Sequence, residues 1–376
     1  MPTRNARQLF STITDEGELH LTIERFTVAE PDEDEVIVEM KAAPINPSDL
    51  GLLLAPADMA TARQDSVDGA PALVAELRPE VRRMVAARVG QKLPAGNEGA
   101  GIVVAAGGSA SAQALLGKTV TIVGGMMYRT HRVVKAQQAL PLPDGAAPAE
   151  GASLFVNPMT VQGFLNTMRG EGHDAIVHTA AASNLGLMLA KLCHKEGVPL
   201  VAVVRRETQR SMLADLGVEH IVDSSRESFM DDLIEAIAVT NATLAFDAIG
   251  GGKIANAILI AMEQAQIKRG TPVDIYGTPI HKQVYLYGRL DFAPTELTAS
   301  YGMYWGVGGW LLTPHLKKVG LQRTLEMRRY AIEERKGIFA SHYTRTISLD
   351  EMINPDVARA YQRKATGEKY LVDPSR

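Results

Sequence analysis

The stretch Ala175-Ile176-Val177-His178-Thr179-Ala180-Ala181-Ala182-Ser183-Asn184-Leu185-Gly186 decides the fold. A short apolar run ends at His178, a series of small residues follows, and an apolar helix over 185–196 begins. Small residues at a strand-to-helix turn let the backbone approach a pyrophosphate held at the helix N-terminus. Only Gly186 remains of a glycine-rich version of this turn, so the segment reads equally as an ordinary strand-to-helix connection. Ala182, Ser183, Asn184, Leu185 and Gly186 are the cofactor-side candidates here.

The next apolar run separates the two readings. Leu200 to Val204 ends in Arg205-Arg206, with Glu207, Thr208, Gln209 and Arg210 behind them. A carboxylate at this strand end suits the ribose hydroxyls of NAD, whereas guanidinium groups suit the 2′-phosphate of NADP. Arg205 and Arg206, with Arg210 behind them, point to NADP(H), and Glu207 leaves room for dual use. A solvated charged turn is the plainer alternative.

Outward from this point the chain alternates strand and helix, which calls for a parallel sheet covered on both faces. Strands are expected at 175–178, 200–204, 220–222, 244–246 and 273–276, with helices near 185–196, 208–216, 227–238 and 252–265 between them. Lys282 to Tyr287 reads as the last strand, an open apolar edge of the kind that is usually paired or covered. Before residue 150 the texture is β-rich. Ala6–Thr14, Val36–Ala43, Gly99–Ala106, Thr119–Val123 and Tyr128–Val134 read as strands. Val74, Leu77, Val81 and Val85 recur at helical spacing among charged residues, so 56–95 reads as a helical insertion and a candidate lid. The tail returns to strand, helix and strand over 342–347, Pro355–Thr366 and 369–372. The expected domains are therefore 1–150 with 342–376, and 151–341.

Composition excludes several classes. At 376 residues the chain suits two domains of ~150 residues or so. Its 39 basic against 43 acidic residues give a net charge of −4, which speaks against a nucleic-acid partner. No run reaches the ~18 apolar residues of a spanning helix, so no membrane partner and a cytoplasmic location are expected. Cys193 is the only cysteine, which removes intrachain disulfides and multi-thiolate zinc sites.

Further segments then carry a resemblance. Ile45-Asn46-Pro47-Ser48-Asp49, Gly96-Asn97-Glu98-Gly99-Ala100-Gly101, Tyr128-Arg129-Thr130 and Val156-Asn157-Pro158-Met159-Thr160 precede the Ala-Ala-Ala-Ser-Asn-Leu-Gly turn. Phe246-Asp247-Ala248-Ile249-Gly250-Gly251, Tyr276-Gly277, Gly309-Trp310-Leu311 and Gly367-Glu368-Lys369-Tyr370-Leu371-Val372 follow it. In this order the chain resembles the medium-chain dehydrogenase/reductase superfamily, and within it the zinc-free quinone oxidoreductase and 2-enoyl thioester reductase branch. The resemblance implies a GroES-like β-rich catalytic domain joined to a doubly wound Rossmann domain. It also implies NADPH in the cleft between them and hydride transfer to a small-molecule acceptor.

Residue by residue, the resemblance puts Asn46 and Thr160 near the nicotinamide and Tyr276 with Gly277 beside the ribose-diphosphate. Ala248, Ile249 and Gly250 fall in a cofactor-side loop, Trp310 and Leu311 at the carboxamide and substrate pocket, and Lys369 among the cofactor-binding residues. Zinc-dependent relatives place ligands where this chain has Asn46, Asn97 and Asn157, so no metal is expected. One departure stands out: no tyrosine lies between Ala43 and Tyr128, where enoyl thioester reductases keep their proton donor. Tyr128 is the substitute candidate, and as a strand aromatic it also suits the core. The resemblance implies an enoyl thioester or unsaturated carbonyl as acceptor, with a quinone as the alternative and non-catalytic NADPH binding as a third reading.

Overall fold

The computed structural model describes residues 4–363 and 367–376, and the final residues of the helix expected at Pro355–Thr366 lie outside them. Contacts divide the chain into two units, one running to Val156 and resuming at Ala340, the other Asn157–Phe339.

The first unit begins with the hairpin β1 (Arg4–Ile13) and β2 (Glu18–Val28). Then come β3 (Glu35–Pro44), β4 (Arg63–Val67), β5 (Ala70–Glu76), β6 (Leu93–Pro94) and β7 (Glu98–Ala106). β8 (Thr119–Val123), β9 (His131–Lys135) and β10 (Leu140–Pro141) complete the N-terminal run. One sheet has the order β4-β5-β2-β1-β6, and a second joins β10, β8, β7 and β3, with β9 also on β3. Leu9, Leu19, Leu21, Val36, Val38, Met40 and Ile122 are fully buried in its core. Two glycines set how closely β7 and β3 can approach: a Cβ on Gly101 would lie 2.1 Å from the Glu39 carbonyl oxygen, and one on Gly99 2.9 Å from that of Ala42.

The expected helical insertion at 56–95 is instead a hairpin followed by two single 3₁₀ turns, Pro79–Val81 and Ala86–Arg88. Asp68 and Gly69 form its two-residue loop, both with positive φ (52° and 78°), the geometry an Asp-Gly pair supplies most readily. Leu73 and Ala75 alternate into the unit's core, and Leu77 and Val81 are buried there too, so the apolar spacing that mimicked a helix is divided between a strand and a turn. Arginines read as a charged helix face fasten the segment down. Arg78 donates to the Ala55 carbonyl at 2.6 Å, and Arg88 to those of Gly51 and Leu52 at 2.9 and 3.1 Å.

The second unit alternates as expected: α1 (Val156–Gly170), β11 (Ile176–His178), α2 (Asn184–Glu196), β12 (Leu200–Val204), α3 (Glu207–Ala214) and β13 (His220–Asp223). It continues through α4 (Phe229–Thr240), β14 (Leu244–Asp247), α5 (Ile254–Lys268), β15 (Lys282–Leu286), β16 (Trp305–Gly309) and α6 (Leu312–Glu333). The sheet order is β13-β12-β11-β14-β15-β16, parallel throughout, the doubly wound arrangement. All five residues of β12 are buried, as a central parallel strand requires. Ser183 caps α2, and Gly197 closes it at φ 64°.

Two expectations fail here. Residues 273–276 form a turn, because the Asp274 side chain takes the Tyr276 N–H at 2.7 Å and Gly277 N–H returns to the Asp274 carbonyl. Ile275 is 90% exposed, which no buried strand permits. β15 is not the edge either: it pairs with β14 on one side and β16 on the other. Back in the first unit, β17 (Arg345–Ile347) pairs with β18 (Tyr370–Val372), which joins β3.

Candidate cofactor and active site

In the second unit the carboxyl ends of β11, β12, β14 and β15 carry the segments that follow His178, Val204, Asp247 and Leu286. Ligands of doubly wound sheets bind at this edge. After β11 the chain turns through Ala180, whose φ of 50° is a glycine-favouring conformation, and Ser183 accepts the Gly186 N–H at 3.1 Å. A Cβ on Gly186 would lie 2.1 Å from the Ala181 carbonyl oxygen, so the helix start and the turn pack as closely as backbone allows. Ala182 is buried and Ser183 exposed, with Asn184 and Leu185 half-buried.

The buried Asp247 joins this turn to the next loop. It accepts from the Thr179 hydroxyl at 2.6 Å and from the backbone N–H groups of Ile249 and Gly250 at 2.9 and 3.0 Å, while Ala248 N–H reaches Thr179 Oγ1 at 2.9 Å. Ala248, Ile249 and Gly250 are thus brought beside the 179–186 turn. Arg205 and Arg206 follow β12 with exposed side chains. Arg210 is committed elsewhere: its guanidinium donates to the Ile221 carbonyl at 2.7 Å and pins α3 to β13. The small-residue turn, the closely packed glycine and two free-standing arginines fit a dinucleotide carrying a 2′-phosphate.

Other candidates of this unit fall differently. Tyr276 and Gly277 precede Lys282, where β15 starts, and therefore lie toward the amino edge, opposite the ligand edge. The Tyr-Gly pair that follows β15 is Tyr287-Gly288, and a Cβ on Gly288 would lie 2.6 Å from the Ala248 carbonyl oxygen. Trp310 is buried in the unit's own core. Its indole N–H donates to Thr167 at 3.0 Å and its ring stands edge-on to Phe164 at 4.8 Å. Leu311 beside it is 66% exposed, and Thr160 is buried in α1. His178 is wholly buried, 2.8 Å from the Tyr287 hydroxyl, and burial pushes its pKa down to about 3.

The first unit holds a buried polar cluster that the sequence reading assigned only in part. Asp49 accepts the backbone N–H groups of Asn46 and Asn97, each at 2.9 Å. Glu98 takes Asn46 Nδ2 at 2.8 Å on one oxygen, and the N–H groups of Phe155 and Val156 at 2.8 and 2.9 Å on the other. Lys369 donates to Ser153 at 2.8 Å and Ser341 at 3.3 Å, and Ser153 also receives the Tyr343 hydroxyl at 2.8 Å. Burial, with Glu98 adding repulsion, raises Asp49 to about 7. Burial lowers Lys369 to about 8 against the pull of Glu98 and Asp49. Asn46 Oδ1 is buried with no hydrogen-bond partner, a situation worth about 1–3 kcal/mol when left uncompensated.

One of the named residues has an internal role in this unit. Tyr128 lies before β9 rather than in it, fully buried, with its hydroxyl donating to the Pro44 carbonyl at 2.9 Å. Burial, reinforced by Asp49, raises its pKa well above the usual phenol value. In this arrangement the Tyr128 hydroxyl proton is engaged on the Pro44 carbonyl. Glu98 was missed, although an acid in the glycine-flanked strand EGAGIVVAA was a visible signal. Among the described residues no group of three or more His, Cys, Asp or Glu is arranged to hold a metal ion. No described helix is long and apolar enough to cross a membrane.

Comparison with known proteins agrees with the fold. No family model matches the chain. It is 29% identical to the mitochondrial enoyl-[acyl-carrier-protein] reductase of Xenopus tropicalis over 241 residues, 61% of this chain and 60% of that protein. It is 27% identical to the synaptic vesicle membrane protein VAT-1 homolog of Rattus norvegicus over 163 residues, 43% and 40% of the two chains. The chain thus spans about 60% and 40% of the lengths of these relatives. Among solved structures, a putative NADPH:quinone reductase of Mesorhizobium loti superposes with a TM-score of 0.72 at 24% identity, over 100% of this chain and 99% of that one. The mitochondrial 2-enoyl thioester reductase Etr1p/Etr2p heterodimer of Candida tropicalis gives 0.68 at 20% identity, over 99% and 100%.

The chain has the α/β fold of the medium-chain dehydrogenase/reductase superfamily, a GroES-like unit with a Rossmann unit. Its likenesses fall in the quinone reductase and enoyl thioester reductase branch.

Proposed function

We propose that the protein is an NADPH-dependent oxidoreductase that reduces an activated double bond, in an enoyl thioester or an α,β-unsaturated carbonyl compound. The carrying observation is the carboxyl edge of the parallel sheet, where Gly186 packs against Ala181 and the exposed Arg205 and Arg206 follow β12 ahead of Glu207. NADPH supplies a hydride to the β-carbon of the acceptor, and a proton completes the α-carbon. The 179–186 turn and the Ala248–Gly250 loop receive the dinucleotide, and Arg205 and Arg206 its 2′-phosphate. Lys369 is bound to Ser153 and Ser341, which makes it a buried counter-charge to Glu98 in this reading.

One observation favours a quinone as acceptor. Tyr128 is tied to Pro44, and no tyrosine lies between Ala43 and Tyr128 to protonate a carbon. A quinone reduced to its hydroquinone takes its protons on oxygen and does without a carbon-directed donor. NADPH consumption measured with a panel of enoyl thioesters, enones and quinones decides between acceptors, and no turnover with any of them counts against the reductase reading.

The proposal includes a cytoplasmic homodimer without bound metal. Its interface is the sheet edge β16, since β15 is covered on both sides. Sedimentation showing only monomer at micromolar concentration would remove the dimer.

A further inference from the structure

The ends of β12 and β13 carry two carboxylates beside the exposed arginines, and one side chain engages both. β12 and β13 run parallel with Val204 opposite Asp223, and the Ser224 N–H donates to the Val204 carbonyl at 2.8 Å, so segments 205–207 and 224–226 are neighbours. Arg226 Nη2 is 3.0 Å from Glu207 Oε2, and its Nε is 3.7 Å from Asp223 Oδ2. Asp223 is buried, and it accepts the backbone N–H and the hydroxyl of Ser225 at 2.9 and 2.7 Å. These two hydrogen bonds, with Arg226 and Arg210 nearby, hold its pKa below the usual carboxylate value. On the other strand the Arg205 backbone N–H donates to Gln209 Oε1 at 3.0 Å while the Arg205 side chain stays exposed. Every residue of this arrangement belongs to the second unit.

We propose that Arg226 is a specificity-determining residue that withholds Glu207 from the ribose of the cofactor, so that the end of β12 takes NADPH in preference to NADH. This rests on the reductase reading above. A carboxylate near this strand end receives the ribose hydroxyls of NAD and repels a 2′-phosphate. Glu207 follows directly on Arg205 and Arg206, so an unpaired Glu207 would oppose the two arginines. Clasped to Arg226, its charge is balanced and its Oε2 is already engaged by a donor. The pair is half exposed, 53% for Arg226 and 66% for Glu207, so it contributes little to stability. Its effect lies in where it holds the carboxylate.

Arg226→Ala releases Glu207. The readouts are NADPH and NADH dissociation constants by fluorescence titration, with folding checked by thermal melting. The ratio of the two constants should shift about tenfold toward NADH, NADPH binding more weakly and NADH more tightly than to wild type. Adding Glu207→Gln should return the ratio to within about threefold of wild type. Adding Glu227→Gln instead restores the same net charge but leaves Glu207 unpaired, so the shifted ratio should persist. An unchanged ratio in Arg226→Ala, weaker binding of both cofactors by the same factor, no recovery with Glu207→Gln, or equal recovery with Glu227→Gln would each overturn the inference. If Arg226→Ala does not fold, Arg226→Gln replaces it with the same expectations. A wild-type protein that binds neither cofactor overturns the reductase reading itself, whereas tight NADPH binding by wild type with failure of the variants overturns the role of Arg226 alone.

Discussion

Gly186 sits so close to Ala181 that a Cβ would lie 2.1 Å from the Ala181 carbonyl oxygen. The obstacle is backbone, not a movable side chain, so the start of α2 has to shift to admit even a methyl group. Gly186→Ala is therefore expected to cost about 1–3 kcal/mol of stability and to displace the turn that would receive the dinucleotide. Thermal melting and NADPH titration check both effects. Wild-type behaviour in both measurements would refute the account of this turn.

Arg205 and Arg206 stand after β12 with exposed side chains, whereas Arg210 is spent on the Ile221 carbonyl. Replacing Arg205 and Arg206 by alanine should weaken NADPH binding by about 1.5–3 kcal/mol for each charge-assisted hydrogen bond lost and leave NADH binding almost unchanged. Arg210→Ala should instead lower the melting temperature with little change in cofactor preference. Isothermal titration with both cofactors makes the comparison, and equal affinity of the wild-type protein for NADPH and NADH would contradict it.

The second unit was far more legible in the sequence than the first. A parallel strand buried on both faces writes itself as an apolar run, and β12 forms over the residues read from the sequence, Leu200–Val204. Residues 273–276 imitate such a run, but their structure is decided by the side chain of Asp274, a local hydrogen bond that hydrophobic patterning does not record. In the first unit, Val74, Leu77, Val81 and Val85 imitate a helix because a strand and a turn together happen to reproduce its spacing; the Asp68-Gly69 pair was the better signal. The polar cluster was half legible. Asn46 and Lys369 were singled out, but the acids that orient them come from separate segments, and only folding places Glu98 next to Asn46.

If the 63–76 hairpin belongs to the core of the first unit, perturbing it changes stability rather than catalysis. Gly69 has a φ of 78° with no neighbour within contact distance of a Cβ, so Gly69→Ala meets backbone strain alone. The expected cost is about 1 kcal/mol, a drop of a few degrees in melting temperature, with kcat/KM unchanged for every acceptor. A changed acceptor profile at unchanged stability would revive the lid reading that the hairpin replaces.

Asp49 gives the protein a pH signature. Burial raises its pKa from 3.8 to about 7, so folding favours the protonated carboxyl. Its contribution to stability is fully present below 3.8 and is lost as pH rises through about 7. At about 1.4 kcal/mol per decade of proton concentration, that window amounts to about 4 kcal/mol. Lys369 acts in a different range, since its lowered pKa of about 8 raises stability between there and 10.5. Asp49→Asn removes the first effect and keeps the second. The variant also loses an acceptor for one backbone N–H, so it should be less stable than wild type near pH 4, and the gap should close or reverse by pH 7.5. Urea unfolding of both proteins at half-unit intervals from pH 4 to 7.5 tests this, and stability curves that run parallel across the range would show that Asp49 is ionised throughout.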